Sequence, residues 1–138
     1  MSVGVLIITH EGIATAILET AASIFGKYPL PVEVLPAARD CDTDALRKRV
    51  KEKIDELDQG DGVLVLLDIY GSTPSNVACS VVDKDRVRVI AGLNLPMLVR
   101  IFNYPALGLP ELAKKAVSGG KDGVFVCYGG ESKDARVP

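Results

Sequence analysis

Two stretches of this chain are apolar at consecutive positions: residues 3–9 (VGVLIIT) and 63–67 (VLVLL). A strand with one wet face alternates apolar and polar residues. A strand that is apolar throughout is covered on both faces, as in a parallel sheet sandwiched by helices. The segments between and beyond these runs have helical period. Ile13, Ile17, Leu18, Ala21, Ile24 and Phe25 share one helical face, and Gly26 can close that helix. Residues 32–35 (VEVL) read as a second strand. Asp42 is placed to cap a helix whose apolar stripe is Leu46, Val50, Ile54 and Leu57, and residues 59–62 (QGDG) end it.

Pro74 marks the start of a further helix, expected to run to about Val82. Residues 86–90 (RVRVI) read as a fourth strand, and 95–102 and 110–117 as two helices. Residues 123–128 (GVFVCY), set off by Gly119 and Gly120, read as a short antiparallel last strand. The alternation predicts an α/β fold: a doubly wound, mostly parallel sheet in the flavodoxin-like order 2-1-3-4-5. One domain is expected over residues 1–128, with 129–138 a polar tail expected to be disordered.

A chain of 138 residues can bury a core without disulfides or metals. A formal net charge of -2 implies no field that would gather nucleic acid. The basic run Arg47-Lys48-Arg49 lies on a helix diluted by acids and reads as a solvated face. No apolar run approaches the roughly 18 residues of a membrane span, and the N-terminus lacks the basic segment of a signal peptide. A cytoplasmic protein without direct membrane insertion is therefore expected. Cys41, Cys79 and Cys127 are odd in number and lack CxxC spacing, which argues against a disulfide framework or a zinc site.

The two apolar strands end in polar residues, His10 after the first and Asp68 after the third. In the order 2-1-3-4-5 these strands are neighbours, and ligands of open α/β sheets bind beyond their C-terminal ends. A lone histidine is most often a satisfied core or surface residue. His10, the single histidine of the chain, instead stands where such folds place their chemistry. An imidazole largely neutral near pH 7 can offer a ring nitrogen to phosphorus, and a carboxylate on the other ring N–H fixes the tautomer. Asp68 is placed for that role. In Gly71-Ser72-Thr73-Pro74, hydroxyls precede a proline at a helix start, where unpaired N–H groups favour an anion. Capping alone would explain this loop. Beside a histidine and a carboxylate, a phosphate contact by Ser72 and Thr73 explains it better.

Rival sites lack their residues. The first strand is followed by Thr-His-Glu-Gly-Ile-Ala rather than G-x-G-x-x-G, and neither a Walker A loop nor a G-x-S-x-G elbow occurs. An aspartate-phosphorylated receiver domain would need an acidic pair for magnesium after the first strand and a lysine after the fifth. Here there is only Glu11, and the last strand ends in Cys127-Tyr128. No metal and no organic cofactor is expected.

Residues 7–10 (IITH), 66–76 (LLDIYGSTPSN) and 90–97 (IAGLNLPM) together resemble the IIA component of the mannose family of the bacterial phosphoenolpyruvate-dependent sugar phosphotransferase system. The resemblance covers the chain to about Tyr128. It implies a transient phosphohistidine at His10, with phosphate taken from the phosphocarrier HPr and passed to a IIB component during sugar uptake. It makes Asp68 the partner that orients His10. The family loop usually reads D-x-x-G-G-S-P, so the phosphate contact carries over to Thr73, with Ser72 as an added candidate. The family often has Gly directly after the histidine, where this chain has Glu11. The resemblance also implies a homodimer, with the last strand reaching across to the partner subunit. The alternative expectation is a regulatory module whose phosphorylation state is read by a kinase or transcription factor.

Overall fold

The computed structural model describes residues 2–38 and 40–128. Its elements alternate as the sequence implies: β1 (Gly4–His10), α1 (Ile13–Phe25), β2 (Val32–Ala37), α2 (Thr43–Leu57), β3 (Val63–Leu67), α3 (Thr73–Cys79), β4 (Val87–Ala91), α4 (Leu95–Phe102) and α5 (Leu109–Asp122). The four strands form an all-parallel sheet in the order β2-β1-β3-β4. The topological switch therefore falls between β1 and β3.

Strand geometry explains the apolar runs. Successive side chains point to opposite faces, so each strand feeds two cores. Val5 and Ile7 of β1, with Leu64 and Leu66 of β3, pack under α1, α4 and α5. Leu6 and Ile8, with Val63, Val65 and Leu67, pack under α2 and α3. All five residues of β3 are buried. Phe25 of α1 meets Phe102 of α4 edge to face, with ring centroids 5.7 Å apart. α2 starts at Asp42, whose carboxylate accepts from the N–H groups of Asp44 and Ala45.

Two expectations change at the C-terminal end. Gly119 and Gly120 do not break the chain; they lie inside α5, which runs on to Asp122. A Cβ on Gly119 would come within 2.4 Å of Arg100 Cβ, so glycine here permits close contact between α5 and α4. Residues 123–128 do not form the expected antiparallel strand: no ladder pairs them among the described residues, where β4 pairs with β3 along its length and, at Val87, also bridges Asp83. A strand exists only through its ladder, and α5 delivers this segment without one, leaving Val124, Val126 and Tyr128 exposed. α3 also ends earlier than expected, at Cys79. The expected tail at 129–138 lies outside the described residues. No helix among the described residues is long and apolar enough to cross a membrane.

Candidate functional site

β1 and β3 run side by side, with Ile8 opposite Leu67. His10 and Asp68, just past these positions, therefore come together at the strand ends. The carboxylate of Asp68 accepts three hydrogen bonds. Its Oδ2 meets both the His10 ring at Nδ1 (2.8 Å) and the His10 backbone N–H (3.0 Å). Its Oδ1 accepts from the Ile69 N–H at 2.9 Å. The Asp68 side chain is 11% exposed and the His10 side chain 48%, so the acid is sheltered while the ring faces solvent.

Burial has the largest single effect on the Asp68 pKa and raises it. The His10 ring N–H, the His10 backbone N–H, the ring's charge and the Ile69 N–H outweigh burial together, so the group lies below its ordinary value. Asp68 is thus ionised at neutral pH and can only accept. Nδ1 must then carry the proton, which leaves the lone pair on Nε2.

Two hydroxyls that the sequence analysis passed over shape the site. Thr9 is fully buried; its Oγ1 donates to the His10 carbonyl (2.7 Å) and accepts from the Ala14 N–H (3.0 Å), tying the end of β1 to the first turn of α1. Ser75, also fully buried, accepts from the Gly71 N–H at 3.1 Å and so closes the loop that carries Asp68. The signal for Thr9 is a hydroxyl ending an otherwise apolar strand. For Ser75 it is a second serine one position inside a proline-started helix.

Ser72 and Thr73 separate in role. Ser72 is the N-cap of α3, and its Oγ accepts from the Ser75 N–H at 3.3 Å. Thr73 is the first helical residue, and its hydroxyl has no partner among the described residues. The loop geometry also accounts for the departure from the double-glycine pattern. Gly71 has φ +92°, a conformation that strains other residues, whereas Ser72 has φ −84° and accepts any side chain. Glu11 lines a cavity with Ala38, Cys41 and Arg49, on the side of the β2–α2 connection. Asn94, in the third stretch of the resemblance, caps α4 through the Met97 N–H (2.9 Å) and donates to the Gly120 carbonyl (3.1 Å). The structure thus gives Asn94 a helix-packing task.

Comparison with known proteins gives the family. The family model described as "PTS system fructose IIA component" matches residues 4–117. The chain is 33% identical over 131 residues to the "PTS system mannose-specific EIIAB component" of Escherichia coli (strain K12), a match that takes in 90% of this chain and 39% of that protein. The chain thus spans well under half of that relative's length. It is 28% identical over 127 residues to the "PTS system fructose-specific EIIA component" of Bacillus subtilis (strain 168), covering 91% of this chain and 86% of that one. The mannose/sorbose specific IIA subunit of Enterococcus faecalis superposes with a TM-score of 0.80 at 25% identity, over 92% of this chain and 96% of that one. On the matched family model, these relatives and the shared fold, the chain belongs to the mannose-type family of phosphotransferase-system IIA components.

Proposed function

We propose that His10 carries phosphate on Nε2, taking it from phospho-HPr and passing it to a IIB component in the service of sugar uptake. The observation that carries this reading is the 2.8 Å contact between Asp68 Oδ2 and Nδ1, which leaves the exposed Nε2 as the nucleophile. In the first half-reaction the Nε2 lone pair attacks phosphorus on the donor's histidine. The donor's N–P bond breaks, and its electron pair returns to the donor ring. His10 keeps the Nδ1 proton and becomes a positively charged phosphoimidazole, which the Asp68 carboxylate stabilises. The second half-reaction reverses these steps toward IIB.

Thr73 supports the transferring phosphoryl group with a hydroxyl that has no partner among the described residues and with its position in the first turn of α3. Ser72 contributes mainly by holding that turn. No lysine or arginine occurs in residues 9–14 or 68–76. Neutral donors suit a carrier, because a strong cationic clamp would hold the phosphate too tightly for release. A cytoplasmic site of action follows from exchange with HPr. The outer edge of β4, which no strand pairs among the described residues beyond the bridge of Val87 to Asp83, and the exposed Val124, Val126 and Tyr128 support a homodimer; sedimentation at about twice the 14.7 kDa chain mass would agree with it.

The decisive experiment is labelling with phosphoenolpyruvate, enzyme I and HPr. An acid-labile, base-stable adduct is expected on wild type and none on His10→Gln. Labelling that survives His10→Gln would overturn the assignment, since the chain has no other histidine.

A further inference from the structure

Among the described residues two polar side chains are fully buried, Thr9 and Ser75. Both stand at the candidate site, on either side of the His10–Asp68 pair. Thr9 directly precedes His10 on β1, and Ser75 lies in the first turn of α3, the helix that follows the Asp68 loop. A buried hydroxyl costs stability unless it is bonded, so two of them at one site call for a reason.

The two loops of the site share a plan. Each turns through a glycine at φ +92°, Gly12 before α1 and Gly71 before α3. A Cβ on either would meet nothing within 4 Å, so these glycines serve the turn and not a close approach. Glycine also leaves a loop free to take other shapes. In each loop a buried hydroxyl bonds across the glycine. Thr9 Oγ1 accepts from the Ala14 N–H beyond Gly12, and Ser75 Oγ accepts from the N–H of Gly71 itself. Ser75 also gives its own N–H to Ser72 Oγ, so it grips the loop twice. α1 has no side-chain cap at Gly12, and Thr9 supplies that bond from the strand instead. A cap in the usual place would serve the helix and leave β1 untied. Because the bond comes from Thr9, whose hydroxyl proton goes to the His10 carbonyl (2.7 Å), one side chain fixes both the helix and the histidine backbone.

We propose that Thr9 and Ser75 are positioning residues of the transfer site: Thr9 sets the backbone of His10, Ser75 sets the loop that carries Asp68, and the bond between Nδ1 and Oδ2 depends on both. That 2.8 Å bond joins two separate loops, so it holds only while each keeps its shape. Neither hydroxyl needs to touch phosphate; each acts through the residue it places. The inference rests on the relay reading above for its rates, whereas the ring's tautomer follows from the hydrogen bonds alone.

The test compares wild type with Thr9→Val, Thr9→Ser, Ser75→Ala and Ile54→Val. Ile54→Val removes a methyl from the core under α2, away from the site, and controls for lost stability. Nitrogen-15 shifts report the tautomer of His10, and single-turnover labelling by phospho-HPr gives the maximal rate and KM. Thr9→Val and Ser75→Ala are expected to show a mixture of ring tautomers. Their maximal rate should fall roughly 10- to 10²-fold, the scale of a small misplacement of reacting groups, with KM unchanged. Thr9→Ser keeps the hydroxyl and should restore the wild-type tautomer and rate. Ile54→Val should lower the thermal midpoint and leave both readouts at wild type. A single tautomer and a wild-type rate in Thr9→Val and Ser75→Ala would reduce the hydroxyls to folding groups and overturn the proposal. An equal loss of rate in Ile54→Val would do the same, since any loss of stability would then suffice. Ser75→Ala decides alone if Thr9→Val does not fold. The relay reading fails separately, if phospho-HPr does not label wild type; the tautomers, measured without a donor, would still decide whether the two hydroxyls hold the ring.

Discussion

Asp68 holds His10 twice through one oxygen: Oδ2 accepts from the ring at Nδ1 (2.8 Å) and from the backbone N–H of the same residue (3.0 Å). The ring is therefore referenced to the strand that carries it. Orientation and tautomer have one cause.

Replacing that carboxylate separates chemistry from folding. Asp68→Asn preserves the shape but offers a weaker, uncharged acceptor. Phosphotransfer should fall by roughly 10²–10⁴-fold, the range for acid–base partners, while the circular dichroism spectrum stays native. Nitrogen-15 shifts of His10 should show one dominant tautomer in wild type and a mixture in the variant. Unchanged transfer rates would reduce Asp68 to a structural acceptor.

Acid should remove what Asp68 contributes to stability. Its pKa is lowered in the folded chain from the ordinary 3.8. A group with a depressed folded pKa adds stability above its unfolded pKa, and that stability is lost as pH falls through the folded value. Wild type should therefore lose stability relative to Asp68→Asn as pH drops below about 3.8. Denaturant unfolding between pH 2 and 6 measures this. Parallel curves for the two proteins would contradict the linkage.

Ser72 and Thr73 should respond in opposite ways. Ser72→Ala removes an N-cap and should cost about 0.5–2 kcal/mol of stability, with a lesser effect on transfer. Thr73→Ala removes a hydroxyl without a partner among the described residues, so stability should change by less than about 0.5 kcal/mol while transfer slows. Thermal unfolding and transfer kinetics on the two variants decide it. The reverse pattern would move the phosphoryl contact to Ser72.

Gly119→Ala should cost about 1–3 kcal/mol, as overpacking does, because its Cβ would stand 2.4 Å from Arg100 Cβ. The loss should be seen in denaturant unfolding. An unchanged midpoint would mean that α4 and α5 can separate freely.

The sheet was legible in the sequence because β1 and β3 are apolar on both faces, a pattern that solvent-facing strands do not show. His10 and Asp68 were legible because a polar residue ending such a strand has few structural reasons to be there. Thr9 and Ser75 were not, since their value lies in N–H groups of Ala14 and Gly71 that fold back onto them. Gly119 and Gly120 look like a break on propensity alone; contact with α4 keeps them helical. Residues 123–128 have strand composition, but composition does not supply a ladder.

The double hold on His10 has a kinetic consequence. A ring held by a sheltered acid that also grips the strand's own N–H does not swing between two exits, so Nε2 presents a single door. In the proposed relay, donor and acceptor must use it in turn, and no ternary complex forms. Such a carrier obeys ping-pong kinetics: excess unphosphorylated donor competes with the acceptor, and flux depends on the ratio of charged to spent carrier rather than on its total amount.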